Sequence, residues 1–302
     1  MIHENLLQFR RGKYFWWATT LTVVSILLYV SQNLTFDRGE PPNGGTWQGY
    51  VLGTIGALLI VWLALLGIRK RRYGSTMGSV QGWTSAHVYL GLTLFVVATL
   101  HCAAQFGWNV HTLAYALMIA VILSGVYGVY SYLVYPRRMS FNRAGGDRAE
   151  LFGELYELDA KGRELARQCD PEVQLVVASA IERTEIGGGV IAQLFGVDRS
   201  RVVRRGNAEG RSTASSSASN RDQQAVIDFV ATRSPRANKR AEAANLQALL
   251  SILCRRQAIL RRIRADVRMQ GWLGMWLYVH VPLTVALLGA LTVHILSTFF
   301  YW

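Results

Sequence analysis

The sequence predicts an all-α integral membrane protein: a helical bundle of five transmembrane helices, with a helical, partly disordered cytoplasmic insertion before the last of them. Three observations carry this prediction. The chain is 51% hydrophobic and only 17% charged, too apolar for an ordinary soluble domain. Its apolar residues gather into runs of about 20, the length that crosses a hydrocarbon core. Basic residues then cluster at alternate ends of those runs, as they do beside cytoplasmic membrane surfaces.

The runs fall at roughly 14–34, 49–68, 83–104, 110–135 and 272–302, so the chain divides into spans 1–4 within 1–138, an insertion at 139–271 and the fifth span at 272–302. Arg10, Arg11 and Lys13 precede the first span, Arg69 to Arg72 follow the second, and Arg137 and Arg138 follow the fourth. The opposite loops hold only Arg38 in 35–48 and no basic residue in 105–109. The amino terminus is therefore expected in the cytoplasm and the carboxyl terminus in the periplasm, as in a bacterial inner membrane. A cleaved leader fits the first span less well than a retained anchor, because the apolar run is long and no small-residue cleavage pattern precedes Asp37.

The formal charge of +13 is expected to meet anionic membrane lipid rather than nucleic acid. Cys102, Cys169 and Cys254 form no CxxC pair and no CxxCH attachment site, which speaks against a disulfide framework, covalent haem or a resident iron–sulfur cluster.

Within the insertion, Leu151, Leu155, Leu158 and Leu165 recur at helical spacing, and Asp170 with Pro171 suits the cap and first turn of a second helix ending at Gly187–Gly189. Residues 206–221 are small and polar and read as a flexible linker. A long amphipathic helix follows, with Leu246, Leu249, Leu250, Leu253, Leu260, Ile263 and Val267 on one stripe, expected to pack on the first cytoplasmic helix. The arginines around that stripe are read as a solvated face near headgroups, with a docking surface for an acidic redox partner as the alternative.

Four of the six histidines lie in the third and fifth spans: His87 and His101 in one, His280 and His294 in the other, fourteen residues apart in each. Fourteen residues fall about 40° short of four full turns, so each span carries its two imidazoles on one face, roughly 21 Å apart along the axis. Both spans run from cytoplasm to outside, so His87 is expected to pair with His280 on the inner side and His101 with His294 on the outer side. Ionisable groups at such depth are costly and usually functional. Two equally spaced pairs on parallel helices point to axial ligation of two haem irons, with a metal or proton path as the alternative. Gly91, one turn after His87, is a candidate for admitting a flat macrocycle, as are Ala98, Gly125, Gly128 and Gly289, although small residues also serve plain helix packing.

The segments HVYLGLTLFVVATLH and HVPLTVALLGALTVH resemble the two-haem core of the ferric reductase and NADPH oxidase superfamily. In spacing they are equally similar to cytochrome b of the quinol–cytochrome c reductases. The resemblance implies two haem b groups with bis-histidine ligation.

Haem with histidine on both faces has no open position, so electron transfer is the expected chemistry. The run Arg69 to Arg72, Arg71 included, is placed to meet propionates of an inner haem, or serves only as a topology signal. His111, at the start of the fourth span, is a candidate contact for a propionate or a quinone, unless it is simply solvated. No flavin or nicotinamide fingerprint is visible. The expected role is a membrane subunit of a redox complex, linking a quinone or a cytoplasmic iron–sulfur or flavin protein to an outer acceptor such as a c-type cytochrome. A self-sufficient quinol-dependent or ferric-type reductase is the alternative.

Overall fold

The computed structural model describes residues 9–35, 43–72, 74, 76–205, 215–234 and 240–300, and the chain is nearly all α-helix. It divides into two compact units, residues 1–130 with 276–302, and residues 131–275. Five helices are long and apolar enough to cross a membrane: α1 (Lys13–Thr35), α2 (Trp47–Arg71), α3 (Val80–Cys102), α4 (Val110–Asn142) and α9 (Arg240–Phe300).

In the first unit, α2 and α3 begin on side-chain caps. Thr46 accepts from the Gly49 amide at 3.1 Å and Ser79 from the Gly82 amide at 3.1 Å, each satisfying one orphan donor of a helix start. The buried Gln32 of α1 donates to the Thr46 hydroxyl at 2.7 Å, tying α1 to the cap of α2. Thr93 of α3 donates to the Ala18 carbonyl, and the Trp62 and Trp83 rings stack at 5.0 Å. Ile60, Leu63, Leu94, Met118, Leu287 and Leu291 draw α2, α3, α4 and α9 into one core. Large apolar side chains such as Trp16, Leu27, Leu58, Leu92, Leu123 and Val285 face outward. A surface this apolar is compatible with burial in hydrocarbon.

The second unit is built on α5 (Arg148–Arg167), α6 (Pro171–Glu182), α7 (Val190–Phe195), α8 (Gln224–Arg233) and the first part of α9. Asp147 and Glu150 form a reciprocal capping box on α5, and Asp170 caps α6 with Pro171 in its first turn. Leu151, Leu155 and Leu158 pack against Ile259, Leu260 and Ile263, so the amphipathic stripe does fold onto the first helix of this unit. The buried Asp266 carboxylate accepts from Arg143 at 2.7 Å and lies 3.1 Å from Arg148.

Three expectations are corrected. The chain is not purely α: β1 (Arg201–Arg205) and β2 (Ser215–Ser219) pair antiparallel, Arg201 opposite Ser219 and Arg205 opposite Ser215. The tail of the expected linker 206–221 is therefore a strand, recruited by a non-local ladder that small serines do not obstruct, while 206–214 lie outside the described residues. The second helix ends at Glu182 and the left-handed Gly187 and Gly188 belong to the following turn. The stripe 246–267 and the fifth span are one unbroken helix of 61 residues.

Four of the arginines along α9 are engaged in ion pairs. Arg255 pairs with Glu154 and Arg264 with Asp198; Arg261 pairs with Asp222. Arg256, only 2% exposed, reaches Asp159 at 2.5 Å, Gln223 at 2.7 Å and Thr184 at 2.9 Å. The charge of these four is spent inside the unit.

Candidate functional site

The four histidines meet as two pairs. His87 of α3 and His280 of α9 have ring centroids 6.5 Å apart with planes at 63°, and His101 and His294 are 6.1 Å apart at 83°. The pairing runs in the same order on both helices, as parallel spans require. Among the described residues the backbones of α1, α2 and α3 approach closely.

Ring orientation follows from what each Nδ1 meets. His87 Nδ1 lies 3.1 Å from the Leu63 carbonyl and His101 Nδ1 lies 2.8 Å from the Gly49 carbonyl. A carbonyl can only accept, so both rings carry their proton on Nδ1 and leave Nε2 as a free lone pair. His280 reaches the same state through a side chain. Its Nδ1 is 2.8 Å from the Ser124 hydroxyl, whose own proton goes to the Val121 carbonyl at 2.7 Å. Ser124 is thus an acceptor for His280. A metal-binding histidine characteristically donates its second N–H to such a partner.

The fourth ring differs. His294 Nδ1 is in direct contact with His111 Nδ1, the two ring centroids being 4.5 Å apart, and His111 is exposed. The two pairs are wider, at 6.1 and 6.5 Å. Two imidazoles on opposite faces of one metal, with bonds of about 2 Å and roughly 1.1 Å from nitrogen to ring centre, have centroids about 6.2 Å apart. The two pairs, at 6.1 and 6.5 Å, lie close to that separation. Among the described residues no three His, Cys, Asp or Glu groups converge as a metal site.

Several supporting residues were not apparent in the sequence. Gly53 of α2 lies against His101, where an added Cβ would sit 2.7 Å from the ring Cε1. Gly49, whose carbonyl holds His101, is one turn earlier, and this small-xxx-small spacing was the available signal. Lys70 lies close enough to act electrostatically on both His87 and His280, which puts that pair at the basic end of α2. Arg71, the predicted contact, is an exposed residue of the same turn. Trp276 lies 5.4 Å from the His280 ring and against Gly128, where any Cβ would overlap the indole. Its Nε1 is buried and has no acceptor among the described residues. A Cβ at Gly91 or Gly289 would meet nothing within 4 Å, and one at Gly125 would lie 3.5 Å from His280 Cε1. Ala98 packs against the core.

No protein-family model, no curated protein and no solved structure matches this chain. The functional reading therefore rests on the residues themselves.

Proposed function

We propose that this chain is an integral membrane cytochrome b that binds two haem b groups, one between His87 and His280 and one between His101 and His294, and conducts electrons across the bilayer. The observation that carries the proposal is the shared geometry of the pairs: centroid separations of 6.5 and 6.1 Å, with three of the four rings held by acceptors that leave Nε2 free. Bound haem of this ligation supplies one-electron transfer and no open coordination position.

The chain's own residues set the conditions. Leu63, Gly49 and Ser124 orient the ligands and raise their basicity. Lys70 supplies positive charge beside the inner pair, and the buried Trp276 N–H supplies a hydrogen-bond donor there, both suited to a propionate carboxylate. In this reading Arg10, Arg11, Lys13, Arg137 and Arg138 mark the cytoplasmic side of a bacterial inner membrane and His111 marks the periplasmic side. The two ends of the electron path belong to partners: a quinone or a cytoplasmic iron–sulfur or flavin protein within, and an acceptor such as a c-type cytochrome outside. The same core would serve a self-sufficient quinol-dependent or ferric-type reductase, which turnover by the purified chain would reveal.

The His111–His294 contact favours a second reading, a histidine relay that moves protons or metal ions. Reduced-minus-oxidised spectra and a pyridine haemochrome assay on the purified chain separate the two. Two b-type haems per chain are expected; a haem-free protein overturns the proposal in favour of the relay.

A further inference from the structure

The second unit carries an arginine cleft beside an apolar helix tip, and we infer that together they form a binding surface for anionic phospholipid of the same membrane. The inference rests on the membrane-spanning part of the reading above and not on haem. An open cleft of about 550 Å³ is lined by Arg137 and Arg138 at the end of α4, Arg268 on α9, and the aromatic rings of Phe141 and Trp272. Among the described residues no carboxylate lines it. Arg143, Arg148 and Arg264 are paired with Asp266 or Asp198, but Arg137, Arg138 and Arg268 have no acidic partner among the described residues. Phe141 is 89% exposed beside these charges.

Helix α7 adjoins the same stretch of α9. The Trp272 indole donates to the Leu194 carbonyl at 3.1 Å, Leu194 packs on Gly271, and the Arg268 side chain passes Gly196. Anchored there, α7 leaves Val190, Ile191 and Phe195 outward, at 65, 73 and 68% exposure. Trp272 is also where the apolar run of α9 begins in the sequence, so the membrane reading assigns these side chains to the bilayer surface. Water would penalise that tip, whereas the region just beneath anionic headgroups accepts both it and the arginines. Phosphate in the cleft and acyl chain against α7 satisfy both halves of the surface at once.

The test uses the full chain in nanodiscs of phosphatidylcholine mixed with phosphatidylglycerol, with native mass spectrometry of retained lipid and hydrogen exchange of α7. Wild type should retain phosphatidylglycerol in preference, and R137Q/R138Q/R268Q should lose that preference by roughly tenfold or more. R137K/R138K/R268K should keep it, which separates charge from misfolding. Amides of 190–195 should exchange more slowly in the mixed discs than in phosphatidylcholine alone. Equal retention by the glutamine variant, or displacement by water-soluble glycerol phosphate with no change in α7, overturns the inference. A chain that leaves its membrane without detergent would instead refute the membrane reading beneath it.

Discussion

The imidazoles of His101 and His294 stand 6.1 Å apart with their planes at 83°, each turned by a different kind of partner: a backbone carbonyl of α2 for the first, the exposed imidazole of His111 for the second. The inner pair, 6.5 Å apart at 63°, is turned by the Leu63 carbonyl and the Ser124 hydroxyl. The two sites are alike in separation and unlike in surroundings, so they should respond separately to substitution.

His101→Ala or His294→Ala is expected to remove the outer haem alone and His87→Ala or His280→Ala the inner one alone, leaving one haem per chain in each case. A pyridine haemochrome assay with low-temperature spectra checks this. Loss of one ligand from each of two different sites by a single substitution would refute the pairing.

Ser124→Ala removes the acceptor of the His280 N–H. Haem content should stay near two per chain, while the inner potential rises by some tens of millivolts, about 59 mV for each tenfold change in relative affinity of the two oxidation states. The ligand becomes less basic and supports the oxidised iron less well. Redox titration reads the shift, and an unchanged inner potential would remove Ser124 from the ligand support.

Gly53→Ala places a methyl group 2.7 Å from His101 Cε1. Neither helix backbone can yield cheaply, so the ring must turn away from Gly49. Outer haem affinity should fall about 10- to 100-fold, the usual effect of disturbing a ligand's support, with the inner haem as internal control in a haem titration.

Asp266→Ala strips the buried carboxylate from Arg143 and Arg148. Removing one partner of a fully buried pair costs about 3–5 kcal/mol, and since both arginines are partly exposed a loss of about 2 kcal/mol is expected. Thermal unfolding of the second unit within the full chain measures it. No change in its midpoint would show that water satisfies these arginines equally well.

Asp198 gives that unit a pH signature. Burial pushes its carboxyl up, but the Ser200 hydroxyl, the Asp222 and Ser200 amides and Arg264 outweigh burial and hold it below the usual carboxylate range. A depressed folded value means its stabilisation is present above about pH 4, where the unfolded carboxyl is ionised, and is lost as pH falls through the lower folded value. The stability difference between wild type and Asp198→Asn should therefore be constant near neutrality and shrink with acid below pH ~4.

Much of the first unit was legible because membrane-scale hydrophobicity and helical periodicity are local signals. α1 to α4 fall where the apolar runs predict them, and the fourteen-residue spacing together with the common direction of the third and fifth spans set His87 opposite His280 and His101 opposite His294. The orienting partners were not legible. Leu63 and Gly49 act through backbone carbonyls, which every residue possesses, and Ser124 is one polar residue among many in apolar helices. In the second unit, strand Ser215–Ser219 has a composition that suggests a linker, and only pairing with Arg201–Arg205 makes it regular.

By itself, then, the sequence determined the helical class, the five apolar helices, their basic flanks and the register of the two histidine pairs, since each follows from composition or periodicity along the chain. Tertiary structure decided which atom of His87, His101 and His280 remains free, which glycine lies against His101, and which arginines of α9 are neutralised by acids up to about a hundred residues away, as Arg255 is by Glu154. Those outcomes depend on neighbours brought together in space, and a side chain's partner across such a distance leaves no periodic trace along the chain.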